Sequence, residues 1–144
     1  MDPRTLVGRR LHGVVAAWHV FEGVKDHQPI DVWLFLDVGG PVEIGVASDW
    51  RLTLDASQPY EPYDMQECGV VEVRPLSGHF PLAKHRGEEI QDVGEDIHPL
   101  AGRMRMDLRF ASGAVRFESY GGELRVQAVP GGTATKYSNH ADSL

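Results

Sequence analysis

Apolar and charged residues alternate most regularly in residues 103–110. Met104, Met106, Leu108 and Phe110 occupy one set of positions, and three arginines and one aspartate occupy the other. Because successive side chains of a β-strand point to opposite faces, this pattern predicts a strand with one buried face and one solvated face.

The residues that follow predict a hairpin partner for this strand. A two-residue turn at 112–113 would place Phe110 opposite Val115. Leu108 would then lie opposite Phe117. In this register both strands send their apolar side chains to the same face, so the turn and the apolar pattern agree.

A Gly-Gly pair at 121–122 predicts a second turn and a third strand. It places Phe117 opposite Val126 and, on the solvated face, Glu118 opposite Arg125. The stretch as a whole is therefore a predicted three-stranded meander.

The solvated face of this meander is rich in arginine, which raises the question of an anion-binding or nucleic-acid-binding surface. Asp107, Glu118 and Glu123 offset much of the positive charge, and the whole chain carries a formal net charge of −7. A phosphate-binding face carries a basic excess with interleaved aromatic residues. We therefore expect a solvated sheet face and no nucleic acid among the partners.

The first half of the chain repeats the same plan. Residues 32–54 again read as strand, glycine turn, strand, short connection and strand. A glycine, an aliphatic residue and a valine precede this unit at equal spacing in both parts, which predicts an internal duplication with halves at about 5–56 and 84–129. The matched positions are Gly8, Leu11, Val14, Leu36, Ile44 and Leu54 in the first half and Gly87, Ile90, Val93, Phe110, Phe117 and Val126 in the second.

These repeated short apolar runs predict the fold class. About eight strands result, and glycines and prolines supply the turns between them. Since extensive sheets must protect their edges, we expect a mainly β fold with an antiparallel curled sheet, a sandwich or a partly open barrel, built from two similar halves. Residues 87–97 fit either a strand or a helix, because their aliphatic residues also recur at helical spacing.

Length and composition place this fold in one domain. A chain of 144 residues with 42% hydrophobic and 24% charged residues is typical of a single soluble globular domain, predicted as residues 1–129. Residues 130–144 are polar and lack an apolar period, which predicts a flexible C-terminal tail. There is no apolar run long enough for a membrane span and no secretory signal, so we expect no membrane partner and a cytoplasmic location.

Negative charge is concentrated in one part of the chain. Residues 55–98 contain ten acidic and three basic residues, which accounts for the whole net charge. Two segments of this span, 57–67 and 87–96, are predicted connections, where recognition surfaces are common. We therefore expect a non-catalytic protein-binding module that engages a basic partner through Tyr60, Glu61, Tyr63, Asp64, Glu67, Glu88, Glu89, Asp92, Glu95 and Asp96.

Motifs for catalysis, metals or cofactors are sparse. The seven histidines form no metal-binding motif and Cys68 is the single cysteine, so we assign no catalytic residue, metal or cofactor. An enzyme would require folding to bring together dispersed groups, namely His79, His85 and His98 with Glu88 or Asp96.

The alternative function is the binding of a small molecule in a β-barrel or sandwich. Trp18, Trp33 and Trp50, together with strands that are apolar on both faces, could line a cavity if the sheet curls around one. A filled interior would exclude this alternative, whereas a pocket of about 300 Å³ or more would support it.

Two pairs of segments carry a resemblance, LVGRRLHGVV with VWLFLDVGGPVEIGVASDWRLTL and RGEEIQDV with MDLRFASGAVRFESYGGELRV. They resemble a group of small, uncharacterised bacterial proteins, many of them from actinobacteria. The motifs mark turns and core positions, so no functional residue is carried over. Proteins of this style are similar to immunity proteins, which neutralise a toxin by binding it, and an acidic surface would suit a basic nuclease toxin.

Overall fold

The computed structural model describes residues 1–76 and 78–129, which form two antiparallel β-sheets packed face to face. The predicted mainly β architecture is confirmed, and the sheets are not closed into a barrel. The predicted C-terminal tail, 130–144, lies outside the described residues. No helix in the described part of the chain is long and apolar enough to cross a membrane.

Eleven strands and three short 3-10 helices occur within these residues. The strands are β1 Leu11–Phe21, β2 Val24–Lys25, β3 Asp31–Leu36, β4 Val42–Val46, β5 Leu52–Ala56, β6 Tyr63–Asp64, β7 Val70–Pro75, β8 Asp92–His98, β9 Gly102–Phe110, β10 Gly113–Tyr120 and β11 Glu123–Val129. The 3-10 helices are Pro3–Leu6, Gln66–Cys68 and Ala83–His85.

The two sheets follow similar plans. The large sheet has the order β5-β4-β3-β1-β7-β6, with β2 paired to the end of β1, and the small sheet has the order β11-β10-β9-β8. In each sheet four strands lie side by side in the order in which they occur along the chain. They are β1, β3, β4 and β5 in the large sheet and β8, β9, β10 and β11 in the small sheet. The internal duplication itself stays a prediction.

The segments that precede the two meanders pair with each other. The amide of Gly8 donates to the carbonyl of Ile90 at 2.8 Å, and the amide of Leu11 donates to the carbonyl of Glu88 at 2.9 Å. Gly8 and Gly87 both have a φ of 90°. Residues 8–11 and 87–90 therefore connect the two sheets at one corner.

The main core lies between the inner faces of the two sheets. Most of the predicted inward residues of the small sheet are buried, with Leu108, Val115 and Phe117 fully enclosed, whereas Met104 is half-buried. They meet the inner residues of the large sheet, such as Leu34 and Ile44. Burial of each such side chain stabilises the fold by about 1.5–3 kcal/mol, which makes this apolar layer the main source of stability.

The predicted register of the β9–β10 hairpin is wrong by two residues. Phe110 lies opposite Gly113, and Leu108 lies opposite Val115, because the turn is at 111–112 instead of 112–113. A shift of two residues keeps every side chain on its predicted face, so the apolar pattern is equally satisfied in both registers. The register at the Gly-Gly turn is confirmed, with Phe117 opposite Val126.

The ambiguous residues 87–97 contribute a strand and not a helix. β8 pairs with β9 along its length and forms one edge of the small sheet. The acidic residues of 92–96 therefore belong to a sheet edge and not to a connecting loop, which corrects the prediction for that part of 87–96.

Candidate partner-binding surface

The first predicted acidic segment covers the outer face of the large sheet. The Tyr60 ring packs edge-on against Trp33 with a centroid separation of 5.0 Å. The Tyr60 hydroxyl donates to Asp31 Oδ2 at 2.6 Å. Ala17, Trp33 and Val71 are buried beneath this segment and form a second, smaller core. Tyr60 thus contributes to packing within the domain.

Two carboxyl groups meet beneath the same segment. Ser57 Oγ donates to Glu43 Oε1 at 2.6 Å, and Asp31 accepts the hydroxyl of Tyr60. Burial raises the pKa of Asp31 to about 6. The hydrogen bond from Tyr60 opposes this shift, and the nearby carboxylate of Glu43 adds to it. Gly45 provides the space, because a Cβ there would collide with Asp31 Oδ1. Hence these carboxyl groups hold the covering segment on the sheet.

The remaining predicted residues of the first segment lie at the end of the large sheet, where four strand ends are adjacent. Five large apolar side chains are exposed there by a third to two-thirds of their surface, and five acidic residues surround them. We call this set the hairpin-end surface: Phe21, Val24, Tyr63, Met65 and Val70 with Glu22, Asp26, Glu61, Asp64 and Glu67.

Strand pairing brings the residues of the hairpin-end surface to neighbouring strand ends. Phe21 of β1 lies opposite Val24 of β2. On the other side of β1, Val71 of β7 lies between His19 and Tyr63, so Tyr63 shares the face of Phe21 and Val24, whereas Val70 and Asp64 point to the opposite face. The β1–β2 half of this surface was missed from the sequence, although its Glu-Gly turn between apolar residues is a recognisable hairpin signal.

His19 connects the two hairpins of this surface. Its Nε2 donates to the carbonyl of Cys68 at 2.6 Å, and its Nδ1 lies 3.4 Å from Asp26 Oδ2. The hydrogen bond to the Cys68 carbonyl raises the pKa of His19. Desolvation opposes this shift, and Asp26 adds to it. The approach requires Gly69, which has a φ of 100° and lies against the Val20 carbonyl. Both ring nitrogens face acceptors, so the protonated imidazolium fits this position best.

The second predicted group lies on the small sheet and is largely paired. Glu95 binds Arg103 at 2.6 Å and Asp92 lies 3.6 Å from Arg109. Glu89 is exposed opposite Arg10 in the segment before β8, and Asp96 lies opposite Arg105. The two predicted acidic groups therefore belong to different sheets, and within the described part of the chain Glu61, Asp64 and Glu67 of the large sheet form no ion pair.

The last residue of that group, Glu88, meets a serine and a histidine. Ser112 Oγ lies 2.7 Å from Glu88 Oε2 and 3.1 Å from Nδ1 of His85, which is stacked on Phe110 at 4.4 Å. Burial lowers the pKa of His85. Desolvation raises the pKa of Glu88, but the bonds from Ser112 and the contact with His85 together lower it below its ordinary value. In a hydrolytic triad, serine and carboxylate occupy opposite imidazole nitrogens. Here both approach Nδ1, so the cluster anchors the β9–β10 turn.

His85 and His98, two of the dispersed histidines, have separate partners. His98 Nδ1 accepts from the amides of Leu100 and Ala101, whereas His85 is buried beside Phe110. Within residues 1–76 and 78–129, no three histidine, cysteine or acidic side chains are placed to hold a metal ion.

An open groove follows β11, the other edge of the small sheet. Two cavities of about 710 and 450 Å³ lie along this strand, the larger beside 126–128 and the smaller beside 122–124. Residues 26–28 border both cavities, and Gln28 Oε1 accepts from the amide of Val126 at 2.8 Å. The groove therefore lies between a strand edge and the β2–β3 connection.

Comparisons with protein-family models, with curated proteins and with solved structures find no match. The function is therefore inferred from the geometry of this chain.

Proposed function

We propose that the protein is a non-catalytic binding module that engages a basic protein partner through the hairpin-end surface. The observation that carries this proposal is the coincidence of exposed apolar side chains with exposed carboxylates at adjacent strand ends. Apolar residues supply contact area at the centre of an interface, while surrounding charges steer the partner and speed the encounter.

The grouping of the apolar residues matters more than their number. Single exposed apolar side chains are common on soluble domains, whereas apolar side chains grouped on one face are typical of an interaction site. Phe21, Val24 and Tyr63 are grouped in this way. His19 holds the two hairpins together before any partner arrives. Binding then costs less conformational entropy, which increases the affinity that a given contact area provides.

The resemblance to immunity proteins extends the proposal to one class of partner. A toxin with a basic surface, such as a nuclease that binds nucleic acid, has the charge that the carboxylates of the hairpin-end surface attract. Association with such a partner should weaken strongly as salt is added.

The test compares two double charge reversals of equal net charge. Glu61→Lys with Glu67→Lys alters the hairpin-end surface, and Asp49→Lys with Asp55→Lys alters exposed acids elsewhere. Immobilised protein is exposed to a host lysate at low salt, and each captured protein is then purified and titrated. We expect the first variant to lose at least about tenfold in affinity and the second to bind like the wild type. Equal affinities for both variants, or no captured protein, would contradict the proposal.

A second candidate function, the binding of a small molecule, is supported by the open groove. Its larger cavity of about 710 Å³ lies within the usual range for ligand sites, and Trp18 and Phe80 line it. Trp33 belongs instead to the second core, and Trp50 is exposed. The check is a fragment screen by Trp18 fluorescence, in which a saturable ligand that also raises the melting temperature would favour this function.

A further inference from the structure

We infer that the free edge of β11 binds an extended peptide segment of a partner protein as an additional β-strand. This site goes beyond the proposed function, because the open groove shares only Asp26 with the hairpin-end surface.

Alternate residues of β11 direct their amides and carbonyls away from β10. The Val126 amide bonds to Gln28 and not to β10, so Leu124 and Ala128, two residues away on either side, face the same outer edge. Among the described residues β11 has β10 as its only strand neighbour. The edge therefore offers backbone groups at three alternate positions.

The Gln28 side chain occupies this edge as a peptide carbonyl would. Its Oε1 receives the Val126 amide at 2.8 Å, which is an ordinary distance for a bond within a β-ladder. Proteins commonly block sheet edges with charges, prolines or a covering segment. Here one flexible side chain makes the contact, with a cavity on each side of it.

The groove walls indicate the chemistry of the peptide. Alternate side chains of an added strand would point towards the large sheet, where Trp18, Leu76 and Phe80 line the larger cavity. Lys25 lies over the Trp18 ring at 4.1 Å, and histidines border the same cavity. We therefore assign an extended peptide with alternating apolar residues and one carboxylate, in the mode in which strands add to a sheet edge.

A compact ligand fits these observations less well than a peptide does. It could fill the larger cavity, but it would leave the outward backbone groups of Leu124 and Ala128 without partners. A strand satisfies these groups along the whole edge, which is the source of affinity in β-addition.

Ala128 allows the backbone groups to be tested directly. Ala128 is exposed, and its amide makes no bond to β10, so proline at this position removes an edge donor without breaking the ladder. Ala128→Val is the matched control, since it keeps the amide and adds side-chain bulk. Circular dichroism and thermal unfolding establish that both variants fold.

The probe is a phage-displayed library of random linear decapeptides, selected on the full chain. Enriched peptides are then synthesised and titrated by NMR, with the amides of Leu124, Val126 and Ala128 as reporters. We expect peptides with alternating apolar residues that bind Ala128→Pro about tenfold more weakly than they bind Ala128→Val.

Gln28→Ala supplies an independent test that does not depend on proline. It removes the internal competitor for Val126, so the same peptides should bind about fivefold more tightly. Gln28→Glu keeps an acceptor oxygen and should show a smaller change.

Three results would overturn the inference. The first is a selection that yields no peptide, or only peptides that bind wild type and Ala128→Pro equally. The second is a compact fragment that binds in the groove of wild type and of Ala128→Pro with the same affinity. The third is self-association of the chain that Ala128→Pro abolishes, which would make a second copy the occupant. If the charge-reversal variant of the hairpin-end surface lost affinity for its protein partner, that result would concern the other site and would leave this inference intact.

Discussion

The outer faces of the two sheets differ sharply, although the strands beneath them follow similar plans. On the large sheet Trp33 and Val71 form an apolar outer face that segment 57–65 covers. On the small sheet the outer face is a lattice of charges, in which Arg116 binds Asp107 through two bonds of 3.0 Å.

The difference shows why the protein has one covered face and one solvated face. An apolar outer face needs additional chain to exclude water, whereas charged residues in register on neighbouring strands neutralise one another at the surface. The covering segment continues into β6, and the hairpin-end surface begins there. The proposed recognition site is thus a consequence of how the large sheet is covered.

The largest expected effect comes from opening the covered face. Trp33→Ala removes the side chain beneath Tyr60 and should lower the free energy of unfolding by about 4 kcal/mol. Arg125→Ala on the solvated face, where the partner Glu118 lies at 3.8 Å, should cost less than about 1 kcal/mol. Urea denaturation measures both. Similar losses for the two variants would contradict the distinction between the faces.

The next effect tests the charge lattice itself. Asp107 is buried, so Asp107→Asn leaves Arg116 without its counter-charge and should cost about 3 kcal/mol. Asp92→Asn breaks the more exposed pair with Arg109 and should cost less than about 1 kcal/mol. Equal losses of unfolding free energy in the two variants would mean that burial does not determine how much each charge pair of this lattice contributes to stability.

A pH-dependent effect separates the faces further. The pKa of Asp31 is raised from 3.8 to about 6, so the folded state holds its proton more tightly than the unfolded state. Stability should therefore fall as pH rises from about 4 to about 6, by about 2 kcal/mol after allowance for partial exposure. Asp31→Asn should flatten this slope and be more stable than wild type at neutral pH. An unchanged slope would mean that Asp31 does not titrate there.

The smallest expected effect concerns the hairpin-end surface. The pKa of His19 is raised above its ordinary 6.5, so its contribution is complete below that value and is lost as pH rises through the folded-state pKa. Amide hydrogen exchange near Asp26 and Gly69 should therefore speed up, beyond the intrinsic rise, at high pH. The His19→Gln side chain retains a single donor group. In this variant the amides near Asp26 and Gly69 should therefore exchange rapidly at both low and high pH. Equal protection in the two proteins at low pH would refute this role.

The candidate site could be predicted only in part. Glu61, Tyr63, Asp64 and Glu67 stand out as acids and aromatics in a polar segment, and the structure places them together at one end of the large sheet. The inward turn of Tyr60 could not be predicted, since it depends on Asp31, which is distant along the chain.

The pattern of alternating residues by itself determined the fold class, the inward faces and the Gly-Gly turn, because side-chain direction in a strand has a period of two and two adjacent glycines favour a tight turn. Only the tertiary structure decided the register at 111–112, where Ser112 bonds to Glu88. Long-range contacts likewise decided which carboxylates are neutralised, as in Glu95 with Arg103. Registers that differ by two residues satisfy the same apolar pattern, and a carboxylate acquires its partner only when separate strands are brought side by side.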